Sequence, residues 1–319
     1  MAGSGSSIER GMKGMNSFND SRYIDDSGPF EARYLAFLET ISTLRPSLHR
    51  YCARMTGSVM DGEDVVQETL FEAYRKLDKF DETRPLKPWL FRIAHNRCID
   101  LLRRRGVRDE ADAVAAVPEA VQAVEPALGT RKAVEHLVQT LPPKERACVL
   151  LKDVFDYSLE EIAELVDSSV GDVKAALNRA RTKLAGTFPP SKPTRTVSPE
   201  AKAVMQLYVD RFNRRDWDGV RELTSADARL NVLERFSGKF ADAGYFSNYN
   251  RWPWPWKLVL GEVDSEPVVI ILQRGADAWT PYSVIRFEVV GQRIERIVDY
   301  IHCPWIIAAA TAVAVAKTN

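Results

Sequence analysis

The sequence predicts a multidomain protein in which an all-α half precedes an α+β half. Its 319 residues are 45% hydrophobic and 28% charged, enough for two or three domains that each bury a core. Helical periodicity runs through residues 30–105 and again through 131–185, whereas after residue 198 one helix is followed by β-type segments. The pattern changes at "GTFPPSKPTRTVSP", where four prolines in 14 residues are typical of a linker.

Composition excludes several classes of protein. Lys+Arg and Asp+Glu both total 44, so any nucleic-acid binding requires a local concentration of charge. The four cysteines are far apart and form no CxxC pair, which argues against zinc and disulfides and fits a reducing cytoplasm. We expect no cofactor and no metal. The apolar tail "IIAAATAVAVA" has 11 residues, and a membrane helix needs about 20, so it predicts a packed terminal segment and no membrane anchor.

The composition of each segment predicts the domain boundaries. We expect a disordered Gly/Ser-rich N-terminus (1–29), a helical domain (30–108), an acidic linker (109–130), a second helical domain (131–187), a proline-rich linker (188–197) and an α+β domain (198–319). Within the last domain, four strands are predicted at "KLVLGEV", "PVVIILQ", "SVIRFEVV" and "RIERIVDYI", the last two joined by a tight turn.

The segment "DGEDVVQETL", residues 61–70, places many acids near one helix start. No Lys or Arg occurs before Arg75 to balance the negative charges of Asp61, Glu63, Asp64 and Glu68. Acids favour this end of the helix dipole, which is the simple explanation. Four acids exceed what capping requires, so the segment also predicts a surface that docks on a basic protein.

The helix that follows has the opposite charge. Between Trp89 and Arg108 there are six arginines and one acid, Asp100, with Phe91 and His95 interleaved. Arginines neutralise phosphates and aromatic faces stack on unpaired bases, so the segment predicts single-strand binding. The alternative places Trp89 and Phe91 in the core and leaves only the arginines outside.

The segment "YSLEEIAELVDSSVGDVKAALNRARTKL" predicts a helix-turn-helix. Ser158 and Glu161 form a capping box, and Ser169 with Asp172 form a similar start for the second helix. That second helix presents cations and an amide away from its apolar face, as a major-groove recognition helix does. A helical hairpin with a solvated charged face is the alternative.

These motifs together resemble the bacterial extracytoplasmic-function (ECF) sigma factors. The resemblance covers residues 30–187, through "DGEDVVQETLFEAYRKLDKF", "RPLKPWLFRIAHNRCIDLLRRR" and the helix-turn-helix block. It implies two all-α sigma domains and three functional surfaces. The acidic helix would dock on a coiled coil of the RNA polymerase largest subunit through Asp61, Glu63, Asp64, Gln67 and Glu68.

The same resemblance assigns the promoter contacts. The −10 element, held as a melted strand, would contact Asp81, Glu82, Thr83, Arg84, Trp89, Arg92, His95, Asn96, Arg97, Arg103 and Arg104. The −35 duplex would contact Lys174, Asn178, Arg179, Arg181 and Lys183. The acidic linker resembles the segment that threads the RNA exit channel.

Within residues 198–305, the helix end "FNRRDWDGV" and the four predicted strands that follow it resemble a SnoaL-like domain of the NTF2-like superfamily, a cone-shaped α+β fold. The resemblance implies a regulatory domain that contacts the sigma domains of its own chain. In "YNRWPWPW", a ligand pocket or docking patch is predicted at Tyr249, Trp252, Trp254 and Trp256. Asp299 and His302 offer a weak acid/base pair, and we expect no enzyme.

The sequence thus predicts a cytoplasmic transcription initiation factor that is modulated by its own C-terminal domain. Two alternatives stay open: a one-component, ligand-sensing helix-turn-helix regulator, which leaves "DGEDVVQETL" unexplained, and an NTF2-like enzyme fused to a DNA-binding module.

Overall fold

A computed structural model describes residues 29–316 except 82, 110–121, 125–127, 187–196, 234 and 277. The predicted disordered N-terminus and most of both predicted linkers therefore lie outside the described residues.

The first helical domain is built on two helices that cross closely. Its elements are α1 (Pro29–Thr56), α2 (Val59–Arg75), a 3-10 turn (Leu77–Lys79) and α3 (Leu86–Asp109). Ser58 caps α2, because its Oγ accepts from the Asp61 backbone N–H at 3.3 Å. A Cβ on Gly62 would lie 2.5 Å from the backbone nitrogen of Ala53, so only glycine allows α2 to approach α1 this closely. This crossing fixes the acidic first turn of α2.

The second helical domain carries the predicted helix-turn-helix. A short strand β1 (Gln122–Val124) precedes α4 (Leu128–Thr140), α5 (Pro143–Val149) with a π-helical turn (Leu150–Val154), α6 (Leu159–Leu165) and α7 (Val170–Leu184). The capping box of Ser158 and Glu161 is confirmed, and Ser169 Oγ accepts from the Asp172 N–H at 3.0 Å.

The two helical domains share one hydrophobic core. Tyr51 and Phe91 from the first domain pack with Phe155 from the second at ring distances of 5.4–5.9 Å. The buried guanidinium of Arg146 donates to the carbonyl of Met55 across the domain boundary, and to that of Leu141 at 3.0 Å. Buried carbonyl oxygens require hydrogen-bond donors, and Arg146 supplies donors to carbonyls of both domains. It therefore links the two helical domains.

The C-terminal domain contains all four predicted strands and three more. Its elements are α8 (Pro199–Asn213), α9 (Trp217–Glu222), β2 (Thr224–Val232), β3 (Phe236–Lys239), α10 (Tyr245–Asn250), β4 (Trp256–Val263), β5 (Glu266–Arg274), β6 (Trp279–Val290), β7 (Arg293–Asp299), α11 (Trp305–Ala309) and β8 (Val313–Val315). The sheet order is β1-β8-β4-β5-β6-β7-β2-β3, with only β2 and β7 parallel among the described pairs. The apolar tail therefore supplies an edge strand, β8, which pairs with both β4 and β1.

Both faces of this sheet are covered. Leu258 and Ile285 face a core filled from α8 and α10, whereas Val259 and Val284 face a second core that includes Val59 and α11. This two-sided burial explains why the strands are continuous apolar runs. The expected order of folds is confirmed: two all-α domains precede an α+β domain built on one mixed sheet. No helix among the described residues is long and apolar enough to cross a membrane.

The core of the C-terminal domain contains a carboxylate. Asp299, at the end of β7, is fully buried and accepts from the hydroxyls of Tyr245 at 2.8 Å and Tyr249 at 2.6 Å and from the Ile301 N–H at 2.9 Å. Tyr208 extends the network through a 3.2 Å contact between its hydroxyl and that of Tyr245. Burial raises the pKa of Asp299 to about 6, although all three donors oppose the shift.

Because this pKa is raised relative to that of the unfolded chain, the ionised form of Asp299 destabilises the folded domain. Stability should decrease as pH rises from about 4 to about 6 and be constant above, with a total effect of about 3 kcal/mol. The Asp299→Asn variant, which keeps an acceptor for the tyrosines, should lose this part of the pH dependence in urea unfolding. A wild-type-like pH slope in the variant would contradict the assignment.

Candidate polymerase- and promoter-binding surfaces

The acidic residues of α2 do not form the exposed surface that the sequence predicts. Asp61 and Glu63 are 3% and 0% exposed, Asp64 and Gln67 are half-buried, and only Glu68 is fully on the surface. Part of this burial comes from the C-terminal domain, which packs its sheet and α11 against this region. The prediction of five accessible docking residues is therefore wrong for Asp61 and Glu63 in this conformation.

Arg286, on β6, is the central cation of the contact. Its guanidinium donates to Asp61 at 2.9 Å and to Asp64 at 3.5 Å, and it pairs with Glu266 of the neighbouring strand at 2.7 Å. Arg105, from the end of α3, also pairs with Asp61. Ser58 Oγ completes this cluster by donating to Glu266 at 3.3 Å.

A second group of contacts surrounds Glu63. The Trp305 indole N–H donates to it at 2.9 Å, the Gln67 amide donates at 3.1 Å, and Arg45 forms an ion pair with it. The Arg45 guanidinium also lies 4.8 Å from the centre of the Trp305 ring. Beside this group, the Tyr300 hydroxyl donates to Asp64 at 3.0 Å.

The two aspartates respond differently to this environment. Burial opposes ionisation of Asp61, but Arg286 and Arg105 hold its pKa below the usual value. Burial raises the pKa of Asp64 to about 6; Arg286 opposes this shift and Asp61 adds to it. Asp61 is thus ionised within the contact at neutral pH, whereas the pKa of Asp64 lies close enough to neutral pH for a small change in pH to alter its charge.

The outer face of α2 remains open. Beside the exposed Glu68, Phe71 and Tyr74 keep 64% and 45% of their surface accessible. Sequence analysis did not single them out, although two aromatic residues three apart on a helix that also has a buried face are a recognisable signal of an interaction surface.

The predicted −10 surface is partly intact. Glu82 lies outside the described residues. Asp81, Thr83 and Arg84 are exposed in the loop before α3, where Asp81 Oδ1 accepts from the N–H of Thr83 at 3.0 Å and from its hydroxyl at 2.7 Å. Arg84 reaches Asp81 at 3.8 Å and Glu164 of α6 at 4.0 Å.

On α3 itself, His95 requires a correction. It is 6% exposed, its Nδ1 lies 2.9 Å from the Tyr51 hydroxyl, and burial lowers its pKa to about 4, so it is a neutral core residue. Trp89 is half-buried and packs on Phe80 at 4.6 Å. Arg97 is held by Glu72 at 2.8 Å. His95 follows Phe91 by four residues, and this spacing already places the two side chains on the same face of α3.

Four predicted −10 residues remain accessible on α3. The exposed side chains are those of Arg92, Asn96, Arg103 and Arg104. Arg103 pairs only loosely with Asp100, at 3.2 Å between exposed groups.

The predicted −35 residues all lie on the exposed side of α7 but differ in their partners. Glu145 of α5 accepts from Arg179 at 3.0 Å and from Lys183 at 2.8 Å, and Arg181 pairs with Asp153 at 3.0 Å. Lys174, in the first half of α7, and Asn178, at its middle, are exposed. These two side chains are the best placed to reach a base edge, because the others must exchange an internal partner.

The tryptophan cluster divides between core and surface. Tyr249 and Trp256 are 2% and 7% exposed and pack in the core of the C-terminal domain. Both also line a cavity of about 430 Å³ together with Trp252 and Trp254, so the ligand pocket or docking patch stays a prediction. Trp254 is 39% exposed, and Trp252 is half-buried against Tyr282 at 5.6 Å. The described residues contain no group of three or more His, Cys, Asp or Glu side chains that could hold a metal ion.

Comparison with known proteins matches both helical domains to sigma-factor families. Residues 40–108 match Sigma-70 region 2, and residues 131–184 match Sigma-70 region 4. The ECF RNA polymerase sigma factor SigW of Bacillus subtilis is 32% identical over 162 residues, covering 47% of this chain and 87% of SigW.

Two further relatives extend over the C-terminal domain. The ECF sigma factor SigG of Mycobacterium tuberculosis is 28% identical over 309 residues, covering 86% of this chain and 83% of SigG. The crystal structure of the ECF sigma factor SigJ from the same organism is 18% identical, covers 82% of this chain and 95% of SigJ, and superposes with a TM-score of 0.34. From the two region matches and the similarity to SigW, the chain belongs to the ECF RNA polymerase sigma factors.

Proposed function

We propose that this sigma factor alternates between a closed state, in which its C-terminal domain covers the polymerase-binding helix α2, and an open state that binds core polymerase. The observation that carries the proposal is the triple engagement of Arg286 with Asp61, Asp64 and Glu266. A basic coiled coil of the polymerase would require two of these carboxylates. One set of carboxylates cannot serve both partners, so the two states exclude each other.

The electrostatics support a contact that is firm but reversible. Asp61 and Glu63 are buried and paired, and breaking one partner of such a pair leaves an uncompensated charge. A basic partner on the polymerase would replace Arg286 charge for charge. While the C-terminal domain is still closed, polymerase can make its first contact with the exposed face of α2 at Glu68, Phe71 and Tyr74.

The recognition helix supports promoter binding in either state. The side-chain hydrogen bonds that join the C-terminal domain to the first sigma domain reach Ser58, Asp61, Glu63 and Asp64, and strand β8 also pairs with β1, which precedes the second helical domain. Lys174 and Asn178 on α7 stay exposed. This arrangement favours a C-terminal domain that controls polymerase binding. It argues against a one-component regulator, in which that domain would act on the helix-turn-helix.

We infer a regulatory and not a catalytic C-terminal domain, acting in the cytoplasm where polymerase acts. Tyr249 and Trp256 are packed in the core of the C-terminal domain, and Asp299 is enclosed by tyrosine hydroxyls. His302 follows the end of β7 and lies beside Trp252, at 6.2 Å between rings. These placements supply no substrate space around Asp299.

The charge reversal Glu68→Arg tests the docking of α2. Glu68 is exposed, so the variant should fold normally while repulsion from a basic partner weakens core-polymerase binding about tenfold or more. Binding is measured by fluorescence anisotropy of labelled protein with core enzyme. Asp242→Arg, an equivalent reversal on the exposed surface of the C-terminal domain, is the control. Equal affinities of both variants would remove the basis for docking through α2.

The Arg286→Ala variant tests the closed state. Removal of this cation from a buried cluster should weaken closure by about 3–5 kcal/mol and thereby raise polymerase affinity by about tenfold or more. Tyr300→Phe, which removes only the hydrogen bond to Asp64, should give a smaller increase. Arg274→Ala, at an exposed strand end, is the control. If all these proteins bind polymerase and initiate transcription like the wild type, the proposed regulation is wrong.

Lys174→Ala tests promoter recognition by α7. If Lys174 contacts a base, the variant should lose about 1–3 kcal/mol of affinity for the −35 duplex and little on scrambled DNA. Lys239→Ala, which removes an exposed cation of the C-terminal domain, should change neither affinity. An equal loss on both duplexes would show that Lys174 contacts phosphate only.

A further inference from the structure

A cleft separates the end of α3 from the C-terminal domain, beside the Arg286 cluster. Its volume is about 980 Å³, at the upper end of the range typical of small-molecule sites. One wall is formed by Leu101, Arg103 and Arg104 of α3, and the other includes Met205 of α8 with Phe287 and Val289 of β6. The cleft exists only while the two domains are in contact, because neither wall encloses it alone.

The charges around the cleft leave an excess of positive charge on the α3 wall. At its floor, the three carboxylates of Asp61, Asp64 and Glu266 share two guanidinium groups, those of Arg286 and Arg105. At its rim, Glu288 pairs with Arg296 at 3.3 Å. The three arginines that pair with these four acids leave one carboxylate charge unmatched, and the excess of positive charge lies only on the α3 wall, at Arg103 and Arg104.

The two remaining arginines are available to a ligand. The Arg103 side chain is 76% exposed, and among the described residues its one ion pair is the exposed contact with Asp100, which contributes little in water. Arg104 is also exposed, and no ion pair holds it within the described part of the chain. Both side chains line the cleft, and two guanidinium groups on one wall suit a carboxylate, which they bind through charge-assisted hydrogen bonds.

The opposite wall is partly apolar, with Ser198 and Glu288 among its side chains. Met205 is buried beneath it, and Phe287 and Val289 are half-buried and face the same side of the sheet. An attraction between α3 cations and the helix dipole accounts for arginines near a helix end, but it does not account for an apolar surface across from them. The pairing of cations with an apolar wall matches a molecule that has an anionic head and a hydrocarbon body.

We propose that this cleft binds an amphipathic carboxylate of the fatty-acid type. The head would lie on Arg103 and Arg104, and the chain along Met205, Phe287 and Val289. Because such a ligand contacts both domains, it binds the closed state better than the open one. By linkage it therefore weakens binding of core polymerase. This inference rests on the closed state proposed above and names a signal that would stabilise it.

The test uses the full-length chain and sodium dodecanoate below its micelle concentration, with binding measured by isothermal titration calorimetry. Dodecanoate should bind the wild type, and the double variant Arg103→Ser/Arg104→Ser should bind it at least tenfold more weakly. Arg92→Ser, a change of an exposed arginine elsewhere on α3, is the control for this binding and should not alter it. Dodecanol, which has the same chain without the charge, should bind the wild type and the double variant equally.

A second substitution and a second measurement make the result decisive. Val289→Trp should obstruct the apolar wall and abolish dodecanoate binding while both arginines remain. Dodecanoate should also raise the apparent Kd of the wild type for core polymerase and leave that of the double variant unchanged. No binding to the wild type, or equal binding to the double variant, would overturn the proposal. If that happens while Arg286→Ala still raises polymerase affinity, the closed state stands without this ligand.

Discussion

The arrangement of the whole molecule depends on the burial of the carboxylates of Asp61 and Glu63 at the start of α2. An ionised carboxylate removed from water is stable only beside a cation or several donors. The first helical domain supplies Arg45 and Arg105, and the C-terminal domain supplies Arg286 and the Trp305 indole. The relative position of the domains is therefore set by which cations and donors surround these two side chains.

This constraint connects the three parts of the chain. The sigma domains are held together by a shared aromatic core and by Arg146, and the C-terminal sheet covers one side of the first of them. The same contact that buries the acids creates the cleft beside α3. Polymerase docking and domain closure thus compete for the few side chains around Asp61. A ligand in the cleft would favour closure.

The sequence predicted which residues form helices and strands better than it predicted which side chains are exposed. The helices that begin after Ser158 and Ser169 and the four apolar strands were predicted correctly, because capping and apolar runs depend on neighbouring residues. Strand β2 was missed because "TSADARLNV" lacks a clear apolar alternation at its start. Exposure was misjudged at Asp61, His95 and Trp256, whose burial depends on residues far away in the chain.

By itself the sequence determined the fold class, the order of the domains and the family, since local periodicity, capping and motif spacing are properties of neighbouring residues. The tertiary structure alone decided which predicted site residues remain accessible. It shows Arg179 and Lys183 held by Glu145, and Asp61 held by Arg286. Charge pairing over more than two hundred positions leaves no local pattern, because the energy of an ion pair depends on distance and solvent exposure, which only the folded chain defines.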